Sequence, residues 1–308
     1  MKEKVKVDNI EKFTTKKRVV TPLSFTVHEG EIFVLAGPEG SGKTLVAKMM
    51  INLVRKSGGR IKLSGRIHTD TLYNTSDVGY VLWEQTFEPK HSAHQALDIS
   101  AKLSGNPVTN KRIKNVLDLM GLTSLGKIPV ERFGAQEISR LKIACALVTK
   151  PKILVMDSPF DQLSHEDAVA VRIILKTLAD NLGTAIVITS PTLAGVEEIC
   201  DTVGIIANGV VISVKSYNEM VKPLDAQAKI GVFTTNPTGA SKIIERELKF
   251  TTQLAGDKVI VNTPPSNAEK IYDFLVKNGI TVIKMEKVHA SIQEEYFKIM
   301  QGRGGSIL

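Results

Sequence analysis

The spacing of apolar and polar positions changes character along the chain, and those changes mark out its elements. Val5, Val7 and Ile10, then Val19, Val20, Leu23, Phe25 and Val27, alternate with polar neighbours. A period of two puts one set of side chains on one face of a sheet, so residues 1–30 are predicted to form two or three short strands. Glu31-Ile32-Phe33-Val34-Leu35-Ala36 reads as a buried strand. Helical spacing takes over from Leu45 through Val54 and is expected to stop at Gly58-Gly59, a good C-terminal signal. Further apolar runs lie at Gly79-Tyr80-Val81-Leu82, Ile153-Leu154-Val155-Met156 and Ala185-Ile186-Val187-Ile188. Near-continuous β-branched runs of this kind belong to a parallel sheet covered on both faces. Helices are expected over Ala93–Leu103, Lys111–Met120, Ala135–Thr149, Glu166–Asn181 and Leu193–Cys200. The alternation is that of an α/β fold.

The pattern changes again near residues 215–235, where a polar stretch ends at Asn236-Pro237-Thr238-Gly239. The tail reads as a helix (Ala240–Glu247), strands near Leu248–Thr252 and Lys258–Asn262, a helix (Ala268–Lys277), a strand (Ile280–Lys284) and a helix (Ile292–Gln301). The expected organisation is therefore a domain over 1–215, a linker over 216–235 and a small α+β domain over 236–308.

Composition alters this picture little. A length of 308 residues suits about two domains. The N-terminus, Met1-Lys2-Glu3-Lys4-Val5, lacks the apolar segment of a secretory signal, and no uncharged apolar run is long enough to cross a bilayer. A cytoplasmic protein is expected, one that reaches a membrane only by docking on a partner. Cys145 and Cys200 both fall in apolar helical patterns and are expected to be buried, reduced thiols. The net charge of +8 raises the question of nucleic acid. The lysines are spread along the chain and not interleaved with aromatics, so no nucleic-acid partner is expected. His28, His68, His91, His94, His165 and His289 show no metal-ligand spacing.

The sharpest chemistry lies in Gly37-Pro38-Glu39-Gly40-Ser41-Gly42-Lys43-Thr44, which satisfies G-x-x-x-x-G-K-[ST] with a strand before it and a helix after. Glycines let successive backbone N–H groups curl around a phosphate. Lys43 adds positive charge for the β- and γ-oxygens, and the Thr44 hydroxyl is a Mg²⁺ ligand. The helix that continues through Leu45 points its positive end at the anion. These eight residues and Leu45 are the candidate ATP contacts. Ile153-Leu154-Val155-Met156-Asp157 adds an apolar strand ending in a carboxylate, and in phosphate-loop proteins such an Asp holds Mg²⁺. ATP and Mg²⁺ are the expected cofactors, with Thr44 and Asp157 as the metal ligands.

From these residues onward the chain resembles the ATP-binding cassette (ABC) family over residues 1 to about 215. Leu23-Ser24-Phe25-Thr26-Val27-His28-Glu29-Gly30-Glu31-Ile32 is similar to the family's segment before the phosphate loop, and Ile143–Asp157 to its helix and Mg-binding strand. Val196–Asp201 and Ile205–Gly209 resemble the stretch after its switch histidine. Lys287–Phe297 is similar to the ending of cassettes that serve drug, lantibiotic or polysaccharide exporters and carry a small accessory domain. The resemblance implies an α/β ABC-type nucleotide-binding domain with a C-terminal α+β accessory domain. Its partners would be a separate membrane permease on the inner face of the membrane and a second cassette, as homo- or heterodimer. It also implies that Phe13 stacks on adenine.

The departures from the family pattern bear on turnover. Where the family carries its catalytic Glu this chain has Ser158, and its switch His aligns with Pro191. Its Gln after the Gly-Tyr strand aligns with Trp83, or with Gln85 if the loop shifts by two. The signature that caps a partner's ATP becomes Phe133-Gly134-Ala135-Gln136-Glu137, and Gly134-Ala135-Gln136 can also be equated with Gly-Gly-Gln. In the loop Asp161-Gln162-Leu163-Ser164, Ser164 stands where the family has Asp. Ser158 cannot accept a proton near neutral pH, and losing a general base costs ~10²–10⁴ in rate. The chain is therefore expected to bind Mg-ATP and hydrolyse it slowly or not at all. The alternatives are an active motor using residues such as Asp161 or Glu84, and a regulatory cassette without a transporter.

Overall fold

The computed structural model describes residues 2–13, 18–67, 77–220, 229–288, 296, 299 and 300. The chain forms two compact units, Met1–Tyr217 and Asn218–Leu308.

In the first unit the N-terminal alternation produces two long strands. β1 (Glu3–Phe13) and β2 (Arg18–His28) have eleven residues each and pair antiparallel. Val5, Val7, Ile10, Val20, Leu23, Phe25 and Val27 are all buried. β3 (Ile32–Ala36) leaves this layer for a second sheet. β4 (Gly58–Leu63) and β5 (Arg66–Ile67) return to the first, giving the order β2-β1-β4-β5.

The second sheet adds β6 (Val78–Val81), β7 (Ile153–Asp157), β8 (Ala185–Ser190), β9 (Thr202–Ala207) and β10 (Val210–Ser216), in the order β10-β9-β3-β8-β7-β6. Every pair is parallel except the edge pair β10–β9. β3, β7 and β8 are buried at every position, as unbroken apolar runs in a doubly covered sheet require. One core joins the two sheets, with Phe25 and Phe33 stacked at a centroid distance of 4.5 Å.

Five α-helices stand among the unit's described residues: α1 (Lys43–Met50), α2 (Ala93–Leu103), α3 (Asn110–Leu119), α4 (Ala135–Leu147) and α5 (His165–Leu182). Short polar side chains cap the starts of α2, α3 and α5, while glycines precede α1 and α4. Ser92 Oγ accepts from Gln95 N–H at 3.3 Å while Gln95 Oε1 accepts from Ser92 N–H at 2.9 Å, a reciprocal box. Ser164 caps α5 by accepting from Asp167 N–H at 3.1 Å. Cys145 and Cys200 are buried and unbridged, and loss of water pushes both thiols up to about 12.

Two sequence expectations are corrected here. α1 stops at Met50, short of Val54, and Gly58 opens β4 by pairing with Glu11. Leu193–Cys200 is a run of turns. Leu193, Val196, Ile199 and Cys200 are nonetheless buried, so their spacing reports burial of an irregular segment and not a helix.

The second unit is an antiparallel sheet in the order β12-β13-β11-β14, built from β11 (Lys229–Thr234), β12 (Thr252–Ala255), β13 (Lys258–Val261) and β14 (Val282–Val288). α6 (Pro237–Ile243), which runs on into a π-helical turn at Ile244–Leu248, and α7 (Ala268–Lys277) belong to the same unit. Ile230, Val232, Ala240, Ile244, Val259, Val261, Ile271 and Leu275 form its core. The expected linker over 216–235 is therefore too long. Residues 229–234 are an inner strand of this sheet, and the unit begins at Asn218. The helix expected over Ile292–Gln301 and most of Lys287–Phe297 lie outside the described residues, as do His68 and His289. Among the described residues no helix is long and apolar enough to cross a membrane.

Phe33 is fully buried at the joint between the two sheets. Phe33→Ala is expected to lower the stability of the first unit by about 3–5 kcal/mol, measured as a shift of its urea midpoint at unchanged slope.

Candidate nucleotide-binding site

β3 ends at Ala36, and the chain turns at Gly37 so closely beneath β9 that a Cβ there would lie 2.1 Å from the Ile206 carbonyl. Only glycine fits. The loop closes at Gly42, whose φ of 101° is open to glycine alone, and α1 begins at the next residue. Lys43 is turned back into the loop, donating to the carbonyls of Gly37 at 2.6 Å and Pro38 at 2.8 Å and to Ser41 Oγ at 3.4 Å. Burial lowers the pKa of its ammonium, opposed by the carboxylates of Asp157, Glu39 and Asp161. A buried cation tied to carbonyls and ringed by acids is poised to exchange them for phosphate oxygens.

Thr44 Oγ1 donates to Asp157 Oδ1 at 3.1 Å, across the junction of α1 and β7. Thr189 Oγ1, its register partner on β8, bonds the same carboxylate oxygen. Asp157 is only 4 % exposed. A hydroxyl and a carboxylate oxygen meeting at a phosphate loop are the hard donors that Mg²⁺ takes, so these two residues could hold it. Thr189 had no signal in the sequence, because the sheet register alone brings it here.

The open cavity above this pair, of about 340 Å³, is lined by Glu39, Gly40, Gly42, Lys43, Thr44, Leu45, Lys48, Ser158, Asp161 and Pro191. The loop residues expected to contact ATP thus come together with both positions where the family's Glu and His are replaced. Ser158 follows β7 in the left-handed region, with φ of 48° and its N–H donating to Thr189 O at 3.1 Å. Burial raises the pKa of Asp161, the neighbouring Ser158 hydroxyl and Lys43 lower it, and Asp157 and Glu39 add to the rise, with a net upward shift. Phe13 stands at the end of β1, 41 % exposed and not among the lining residues.

The two candidates for the glutamine position part company. Trp83, 50 % exposed, shares a small cleft with Asp157, Ser158 and Gln162. Its carbonyl accepts from the buried ammonium of Lys142 on α4 at 2.6 Å. Gln85 lies in a separate cleft with Ser100, Cys145 and Thr149, and its Oε1 is buried without a partner. Glu84 is held by Lys48 at 2.6 Å.

Gly134, Ala135 and Gln136 form the start of α4. Glu137 Oε2 accepts from Gly134 N–H at 2.6 Å, so the glutamate is folded back onto its own helix. The amide of Gly134 is therefore engaged within the chain. A glutamate three residues after a helix-opening glycine was the available clue.

A family model described as ABC transporter matches residues 20–161. The chain is 30% identical over 247 residues to the linearmycin resistance ATP-binding protein LnrL of Bacillus subtilis, covering 79% of each. It belongs to the ABC transporter ATP-binding family. Similarity also extends over whole chains. The ABC transporter ATP-binding protein YcbN of Bacillus subtilis is 29% identical over 97% of each chain. The bacitracin transport ATP-binding protein BcrA of Enterococcus faecalis is 26% identical over 98% of this chain and 97% of its own. Among solved structures, the dimeric bacterial ABC transporter cassette MJ0796 matches with a TM-score of 0.65 at 18% identity, over 69% of this chain and 98% of its own. The ADP conformation of the cassette MJ1267 matches with a TM-score of 0.65 at 20% identity, over 73% and 95%. This chain is thus an ATP-binding subunit of an ABC transporter, with a cassette fold.

Charge-assisted hydrogen bonds are worth about 1.5–3 kcal/mol each. Lys43→Ala is therefore expected to weaken ATP binding by about ten- to a hundred-fold, read from the emission of Trp83 as nucleotide is titrated.

Proposed function

We propose that the chain is the ATP-binding subunit of an exporter, binding Mg-ATP firmly and hydrolysing it slowly. The observation that carries this reading is the division of one cavity into two unlike walls. One wall keeps the full phosphate cradle, with Lys43 and the joined pair Thr44 and Asp157. The other presents Ser158 and Pro191, a hydroxyl and a ring with no polar side chain, where the family has a carboxylate and an imidazole. Mg²⁺ on Thr44 and Asp157 would neutralise charge between the β- and γ-phosphates. Phe13, exposed at the end of β1, would stack on the base.

An exporter is favoured by the whole-length similarity to BcrA and by that to LnrL, named for bacitracin transport and linearmycin resistance. A permease partner on the cytoplasmic side of the membrane and a dimer of cassettes belong to the same reading. Trp83, exposed and tied to α4 through Lys142, would face that permease. In the dimer Gly134, Ala135 and Gln136 would face the neighbour's nucleotide, with one amide fewer to offer because Glu137 holds it.

The test restores the carboxylate. Ser158→Glu is expected to raise phosphate release by at least about ten-fold, since a general base contributes ~10²–10⁴, with ATP affinity within about three-fold of wild type. Brisk release by the wild-type chain, unimproved by this substitution, would overturn the slow-hydrolysis reading. Failure to bind ATP would overturn the cassette reading itself.

A further inference from the structure

Two acids near the site, Glu84 and Asp161, differ sharply in their surroundings. Glu84 is an exposed residue already ion-paired with Lys48, and it does not line the cavity. Asp161 lines it, together with Ser158 and Pro191. β7 ends at Asp157, and Ser158 turns the chain in the left-handed region. Asp161 N–H then donates back to the Ser158 carbonyl at 3.4 Å. This tight turn sets Asp161 beside Ser158 at the cavity. A non-glycine residue with positive φ costs energy and persists where the surroundings demand it. Here the surroundings include β8, whose Thr189 carbonyl holds the Ser158 amide.

We propose that Asp161 is the catalytic base for the hydrolysis this cassette performs, and that Ser158 is the positioning residue that orients its carboxylate. The proposal rests on the nucleotide-site reading above. A carboxylate has two oxygens. With the Ser158 hydroxyl beside one, the other is left to accept a proton from water in the cavity. In the step itself the water oxygen bonds to the γ-phosphorus. The bond from that phosphorus to the bridging oxygen breaks, and its electron pair stays on ADP. The water proton passes to Asp161, which returns it to solvent as phosphate leaves. The base has moved three residues along the loop from where the family carries it.

The groups facing Asp161 set its protonation. Lys43 on α1 and the Ser158 hydroxyl favour the anion, while Asp157 at the end of β7, Glu39 in the phosphate loop and burial disfavour it. The net upward shift makes it a stronger proton acceptor than an ordinary aspartate. Turnover should therefore climb with pH through a raised carboxyl pKa.

The experiment compares the full-length chain with Asp161→Asn, Asp161→Glu and Ser158→Ala. Three quantities are measured: ATP affinity from Trp83 emission, phosphate release at saturating Mg-ATP across pH, and the carboxyl infrared band. Asp161→Asn should bind ATP within about three-fold of wild type yet lose at least about a hundred-fold in release, together with the acidic limb of the pH profile. Asp161→Glu should recover part of both. Ser158→Ala should move that limb, and the infrared titration of Asp161, to higher pH, because a donor to the anion has been removed. Release by Asp161→Asn equal to wild type overturns the proposal, as does wild-type chain that binds ATP without any turnover. A chain that does not bind ATP at all would instead remove the reading beneath it.

Discussion

A single carboxylate holds the working end of this molecule together. Asp157 closes an all-buried strand, and its Oδ1 takes hydrogen bonds from Thr44 at the head of α1 and from Thr189 on the neighbouring strand. Burying a carboxylate is costly unless its oxygens are satisfied. Here the two threonines satisfy it and in doing so fix the phosphate loop against the sheet. Lys43 fixes the same loop from inside, through the carbonyls of Gly37 and Pro38. The chain's own side chains thus tie the cradle together from both sides.

Under the proposed function, that assembly would let affinity and turnover separate in one chain. In that reading the triphosphate would be gripped by residues 37–45 and the end of β7. Water activation would depend on Ser158 and the residues after it, which the left-handed turn at Ser158 brings to the cavity. The β7–α5 connection carries Ser158, Asp161 and the helix cap Ser164 within seven residues. Changes there redistribute polar groups without touching the sheet.

Much of this was legible in the sequence, for a physical reason. The phosphate loop is a contiguous motif whose geometry is local, so spacing alone located it. β3, β7 and β8 announced themselves as unbroken apolar runs because both their faces are covered. What escaped depends on distant partners. Thr189 matters only because the parallel register sets it beside Asp157. Residues 229–234 read as linker, since their central place in the second sheet comes from pairing with β13 and β14. Leu193–Cys200 has helical spacing without a helix, because burial can be met by turns. The separation of Trp83 from Gln85 is likewise set by packing, with Lys142 holding one and the cleft beside Cys145 taking the other.

The start of α4 carries its own consequence. Helix N-termini normally attract anions, because their free amides and the backbone dipole both favour negative charge. In this chain Glu137 has brought a carboxylate to that end and seated it on the Gly134 amide. One amide of this end is thereby taken, and a negative charge sits beside it. An approaching phosphate would find a weaker attraction here than at a helix start whose amides are all open.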